Sequence, residues 1–171
     1  MTAHRRVVVG HAADGSSFVA ADEQVDEVVL APRGNRLAML WGRDDVAALP
    51  APVEGGLPPG FLPPAGGWRA SLLTFPPDDT PLLPEGEGVG LPDLGAQMAK
   101  GGGRGMHTTP TVDVVLVVGG ELWLEVDDGS EVRLQAGDTV VQNGTRHGWR
   151  NKSGAPATLA LFMVGADHGD A

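Results

Sequence analysis

The chain has 171 residues, with 12 Lys and Arg against 22 Asp and Glu, a formal charge of −10. That length suits one domain, or one domain with an arm, and a net-acidic chain without a basic block is a poor partner for a phosphate backbone, so no nucleic acid is expected. Cysteine is absent, which excludes disulfide scaffolds, thiol nucleophiles and Cys-ligated zinc.

The 26 glycines and 14 prolines predict many turns and few long helices, favouring an all-β architecture. Val7-Val8-Val9, ahead of Gly10-His11, is too short for a secretory leader's apolar core or a membrane span, so a soluble cytoplasmic protein with no membrane partner is expected. Arg6 to Val9 and Ser17 to Ala20 flank Asp14-Gly15, a hairpin signal. Glu27 to Leu30 and Arg36 to Trp41 flank a second turn, Pro32-Arg33-Gly34-Asn35. Residues 50–66, rich in Pro and Gly, read as an extended connector without helix. The expected division is therefore an N-terminal strand-rich arm and connector over 1–66, a barrel over 67–165, and a tail over 166–171.

Trp68 to Phe75 reads as a strand ended by Pro76-Pro77. Residues 78–105 look irregular, with one or two helical turns over Leu94 to Lys100; residues 94–105 are a candidate lid, the alternative being a loose loop. From Val112 onward, short apolar segments alternate with turns at Gly119-Gly120, Asp127-Asp128-Gly129, Gly137-Asp138 and Asn143-Gly144. Five or six evenly spaced strands imply a meander closing into a sandwich or barrel.

Of the five histidines, His4, His11 and His168 lie near the termini without a partner pattern. His107 and His147 each sit in a Gly-rich turn leading into a β segment, and Asp113 follows His107 by six. Six residues of straight strand span roughly 20 Å, too far to share an ion. The chain must therefore bend, and Pro110, which cannot donate a ladder hydrogen bond, supplies the place. Asp113 then shares a strand face with Val115 and Val117. An acid on an apolar inward face is costly unless it is paired or metal-bound.

With these residues in view, the sequence resembles the cupins. Gly101, His107, Asp113 and Gly120 resemble the first cupin motif, and Gly137-Asp138, His147 and Asn151 the second. The resemblance spans Trp68 to Gly165 and implies a cupin-type double-stranded β-helix, a jelly-roll barrel. It departs at three places: Thr109 stands at the second His of the first motif, Asp113 shortens its Glu, and the second motif lacks its Pro, with a loop one residue shorter over Gln142 to Thr145. The ligand set it implies is reduced to His107, Asp113 and His147, suited to Fe, Zn, Mn or Ni. The alternative is a metal-free hydrogen-bonded network, or an acid–base site.

The resemblance also implies a largely apolar cavity. Its expected walls are Met106, Val115, Trp149, Phe75 and Phe162, with Trp41 or Met39, while Thr109 orients a water or substrate oxygen, and Gln142 or Arg69 anchors a polar ligand atom. The expected function is a metal-dependent enzyme on a small organic, cyclic or aromatic, substrate. The reaction is left open among oxygenation, decarboxylation, isomerisation, cyclisation and dehydration, because fold does not determine chemistry. The alternatives are a non-catalytic ligand-binding module and a metal-free lyase or isomerase. A homodimer is expected, formed through edge strands within residues 6–41.

Overall fold

The computed structural model describes residues 4–53, 57–103 and 105–167. His168 and the end of the expected tail lie outside the described residues. Among the described residues, eleven strands and one helix follow in order: β1 (His4–His11), β2 (Ser17–Val25), β3 (Val28–Leu30), β4 (Asn35–Arg43), β5 (Trp68–Phe75), α1 (Pro92–Lys100), β6 (Thr111–Gly119), β7 (Glu121–Val126), β8 (Glu131–Gln135), β9 (Thr139–Asn143), β10 (His147–Arg150) and β11 (Ala157–Gly165).

They form three sheets: a β1–β2 ribbon, a three-stranded sheet ordered β10-β7-β8, and a six-stranded sheet ordered β3-β4-β5-β11-β6-β9. From β6 to β11 the chain passes from the large sheet (β6) to the small one (β7, β8) and back (β9), then again (β10, β11). This winding is the jelly-roll barrel expected from the sequence, and the fold is all-β. Turn chemistry places the reversals. Asp14 accepts from the Ser16 amide at the β1–β2 tip, and Gly129 takes positive φ between β7 and β8, where a Cβ would be strained.

The core lies between the two larger sheets. Val115 and Val117 from β6, Leu122 from β7, Leu134 from β8, and Ala157 and Leu159 from β11 meet there, with Phe75 and Trp149 packed against them. The strict buried–exposed alternation of β6 is the period-two pattern of a strand with one face inward, so Asp113 does share the inner face with Val115 and Val117. A second cluster of Leu30, Leu37, Phe61 and Met163 closes the other end, covered by Leu62, Leu91 and Leu94.

Two strands of the expected arm are part of the barrel sheet. β3 pairs β4 and β4 pairs β5 along their lengths, so position 66 does not separate two units. Only the β1–β2 ribbon stands apart, tied to β4 by Arg6, which donates to the Leu40 carbonyl and lies 5.1 Å over the Trp41 ring. The helical turns expected over Leu94 to Lys100 extend back to Pro92, which serves as the first-turn proline. The Asp93 carboxylate accepts the Leu62 amide at 2.7 Å and so ties the helix to the connector. Among the described residues, no helix is long and apolar enough to cross a membrane.

Candidate functional site

His107 and His147 are brought together by the backbone. The two residues form an antiparallel bridge, with His107 N donating to His147 O at 2.8 Å and His147 N to His107 O at 2.9 Å. Residues directly opposite each other across such a bridge put their side chains on one face. The imidazole centroids are accordingly 4.5 Å apart, the rings inclined at 51°.

Both rings are oriented in the same way. Nδ1 of His107 is 2.9 Å from the Gly105 carbonyl, and Nδ1 of His147 is 3.0 Å from the Thr145 carbonyl. A carbonyl can only accept, so each Nδ1 carries the proton and each Nε2 presents a lone pair. The anchoring carbonyl lies two residues before the histidine in both cases, a repeated local geometry.

The electrostatics follow from burial. His147 is 3% exposed, and its pKa is held down to about 4, first by desolvation and then by repulsion from His107, with the Thr145 carbonyl opposing. Burial also lowers the pKa of His107, against the stabilising Gly105 carbonyl. The pair is therefore neutral near pH 7. Trp149, two residues beyond His147 on the same strand face, meets that ring edge-on at 6.0 Å and closes the apolar side.

Asp113, Gln142 and Thr109 form the polar inner surface contributed by β6, β9 and the bend before β6. Asp113 and Gln142 stand opposite each other in the β6–β9 register, and both are buried, as is Thr109. Thr111 donates its hydroxyl to Thr109 at 2.9 Å. Thr145 donates to Gln142 Oε1 at 2.8 Å, which fixes the amide and leaves Nε2 without a partner. Asp113 Oδ1 is also unpartnered, and desolvation raises the pKa of this carboxyl, with the Thr111 hydroxyl opposing.

The expected three-ligand set is not assembled. Among the described residues, no three His, Cys, Asp or Glu side chains gather closely enough to hold an ion. Asp113 sits on the large sheet beside Gln142, and with one methylene fewer than the motif glutamate it does not join the histidines. The two Nε2 lone pairs are the donors the site offers, and they do not by themselves fit a first-row metal centre.

Several expected wall residues lie elsewhere. Phe162 is on the outer face of β11, 44% exposed, its ring 5.8 Å from Trp68; Leu159 and Met163 take the inner positions of that strand. Met106 packs on the far side of β10, where a Cβ on Gly148 would fall 2.7 Å from its Sδ; alternation puts Gly148 opposite His147 and Trp149. Phe75 faces inward into the main core, whereas Met39 belongs to the second cluster. Arg69 is 1% exposed, but its guanidinium is committed to the Gly60, Arg43 and Trp68 carbonyls and to Asp44, so it braces loops and anchors no ligand.

Two arginines outside the expected site residues flank the histidine bridge. Arg150 Nη2 lies 2.6 Å from Glu125 Oε2, an ion pair behind β10. Arg146 donates to the Gly101 carbonyl, clamping the turn before His107 onto the strand that carries His147. Their shared signal is alternation along Arg146-His147-Gly148-Trp149-Arg150: the arginines take the face opposite the ring pair.

Comparison with known proteins adds a family match over part of the chain. Residues 96–164 match the Cupin domain family. The chain is similar to the Oryzines biosynthesis cluster protein J of Aspergillus oryzae, 46% identical over 58 residues, 34% of this chain and 32% of that one. It is also similar to the Phomopsin biosynthesis cluster protein D of Diaporthe leptostromiformis, 38% identical over 95 residues, 56% of this chain and 47% of that one. The chain thus spans less than half the length of these relatives. Among solved structures, a Cupin 2 conserved barrel domain protein from Salinispora arenicola matches with a TM-score of 0.44 and 17% identity over 78% of each chain.

Proposed function

We propose, for a chain whose residues 96–164 form a small cupin-2-like domain, that it is a biosynthetic enzyme moving a proton on a small carbonyl-bearing organic molecule, with the His107–His147 pair as the proton carrier. The observation behind this reading is the pair itself: two neutral imidazoles 4.5 Å apart, each with Nδ1 anchored on a carbonyl and Nε2 free. The relatives named for biosynthesis clusters support a place in natural-product assembly.

A neutral Nε2 accepts a proton from carbon beside a carbonyl, and the enolate left behind supplies the counter-charge that stabilises the new imidazolium. Repulsion between the rings, already visible in the lowered His147 pKa, disfavours a second proton. The pair therefore holds one proton and returns it, to the same carbon, to a neighbouring one, or to a leaving group. Those outcomes are exchange, isomerisation and elimination. Trp149 excludes water from the apolar side.

The experiment incubates the protein in D2O with a panel of 2-oxo acids, β-keto acids and β-keto amides and follows C–H exchange and new products by NMR. Exchange that falls by about 10²–10⁴ in His147→Gln and withstands EDTA supports the reading. Exchange abolished by EDTA and restored by Fe(II), Mn(II), Ni(II) or Zn(II) transfers the site to metal-assisted chemistry. No turnover of the panel, with ligand-induced shifts of the histidine resonances, assigns it to a binding module.

A further inference from the structure

Two polar side chains on the inner face of the large sheet stand side by side with a bond unmade. Asp113 and Gln142 are 4% and 5% exposed and lie opposite each other across β6–β9. Asp113 Oδ1, an acceptor, and Gln142 Nε2, a donor, have no hydrogen-bond partner among the described residues. Gln142 does not turn to relieve this, because the Thr145 hydroxyl holds its Oε1 at 2.8 Å. On its other side Asp113 faces Met163 of β11, a side chain without a donor. Buried polar atoms are nearly always paired, and an unpaired one lowers stability. One free acceptor beside one free donor is a cost that a bound group can offset.

The pair lies at the same end of the interior as the histidines. Asp113 stands two residues before Val115 on β6, and His147 two before Trp149 on β10; Val115 and Trp149 pack in one cluster. The turn between β9 and β10 closes on the segment entering β6. A Cβ on Gly144 would stand 3.4 Å from the Thr109 carbonyl oxygen and 3.5 Å from that of Thr111. Facing sheets of a sandwich lie about 10 Å apart, so a molecule that reaches from one wall to the other is short.

We propose that Asp113 and Gln142 determine specificity by taking the primary carboxamide of a small substrate, Asp113 Oδ1 accepting from its N–H and Gln142 Nε2 donating to its carbonyl. With the His107–His147 pair as proton carrier, on which this depends, the substrate is a β-keto amide. A carboxylate would suit Gln142 and be repelled by Asp113. An ammonium would suit Asp113 and set donor against donor at Gln142. An ester has no N–H to give. An amide carries donor and acceptor on neighbouring atoms, matching an acceptor and a donor on neighbouring strands. The slight exposure of the pair admits only a terminal group, hence an unsubstituted amide.

The test is NMR titration of the isotope-labelled full chain with acetoacetamide, methyl acetoacetate, acetoacetate and 4-hydroxybutan-2-one, each also followed for C–H exchange in D2O. Acetoacetamide is expected to bind about tenfold or more tightly than each of the other three. Asp113→Leu and Gln142→Met, close in shape and without the polar atom, are expected to erase that preference. Asp113→Asn, which keeps an acceptor oxygen, is expected to retain it. Asp113→Leu should unfold at a urea midpoint no lower than wild type, since it replaces an unpaired carboxyl on an apolar face by an apolar group; it therefore carries the test should Gln142→Met fail to fold. Absence of acetoacetamide binding, equal affinity for ester and amide, or tighter binding of the keto alcohol overturns the proposal. So does an Asp113→Leu chain that retains the amide preference. Amide-selective binding without exchange removes the proton carrier and leaves the carboxamide site; exchange with no amide preference does the reverse.

Discussion

Acidification is expected to destabilise this fold through His147 in a calculable way. The ring is held at about 4 against an ordinary 6.5. Above pH 6.5 it is neutral in both the folded and the unfolded chain, and it contributes no pH dependence. Below 6.5 the unfolded chain takes up the proton while the folded chain refuses it, so stability falls as pH falls, until both states are protonated below about 4. The loss from this one group amounts to about 2 kcal/mol at pH 5 and about 3 kcal/mol at pH 4. Other groups titrate too. Asp14, Asp22, Asp45 and Asp128 have lowered pKa values from hydrogen bonds, with Ser16, Arg5, Arg43 and Ser130 respectively, and lose those contributions only below the ordinary carboxylate range. Asp113, raised by burial, acts in the opposite direction. Comparing wild type with His147→Gln at pH 7 and pH 5 isolates the ring. Urea unfolding followed by tryptophan fluorescence should show the variant losing about 2 kcal/mol less than wild type over that interval. Equal pH dependence in the two chains, or a His147 resonance titrating near 6.5, would refute the assignment of a desolvated, neutral ring.

Leu122 is fully buried between the two sheets, so Leu122→Ala should cost about 2–5 kcal/mol, read from the urea midpoint. Gly120 holds φ +74° with the positions of Ala157 Cα and Pro156 O only 2.7 Å from where a Cβ would stand. Gly120→Ala therefore adds backbone strain to a clash, and thermal melting should show a loss of about 2 kcal/mol or more, whereas Gly129→Ala, with open space around it, should cost less. Asn151 is 1% exposed and its amide donates to the Phe75 and Ala155 carbonyls at 2.9 Å each. Asn151→Ala strands both carbonyls and is expected to cost about 2–3 kcal/mol in the same melts.

Much of the fold was legible because its determinants are local. Asp14-Gly15 and Asp128-Gly129 mark reversals through their own backbone preferences, and the alternation over Thr111 to Gly119 assigns Asp113 to the inner face without any partner. The meeting of His107 and His147 was legible only through the resemblance, since they stand 40 residues apart in sequence with four strands, β6 to β9, between them. What escaped the sequence shares one cause. Thr158 to Val164 is too uniformly apolar for alternation to say which side Phe162 takes, and that was decided when β11 paired with β5 on one side and β6 on the other. Gly148 has no side chain to announce the slot that Met106 fills. Arg69 looks like a surface residue until the loops it braces fold around it.

The amino-acid order by itself determined strand positions, turns and the class of fold, because each depends on a period or a turn a few residues long. Only the tertiary structure decided that Asp113 stays with Gln142 and apart from the histidines, that β3 and β4 complete the large sheet, and that β6, β9 and β11 turn uncharged side chains outward. Those outcomes depend on which distant strands hydrogen-bond and in what register, and a one-residue shift in register would exchange the inner and outer faces of every strand involved.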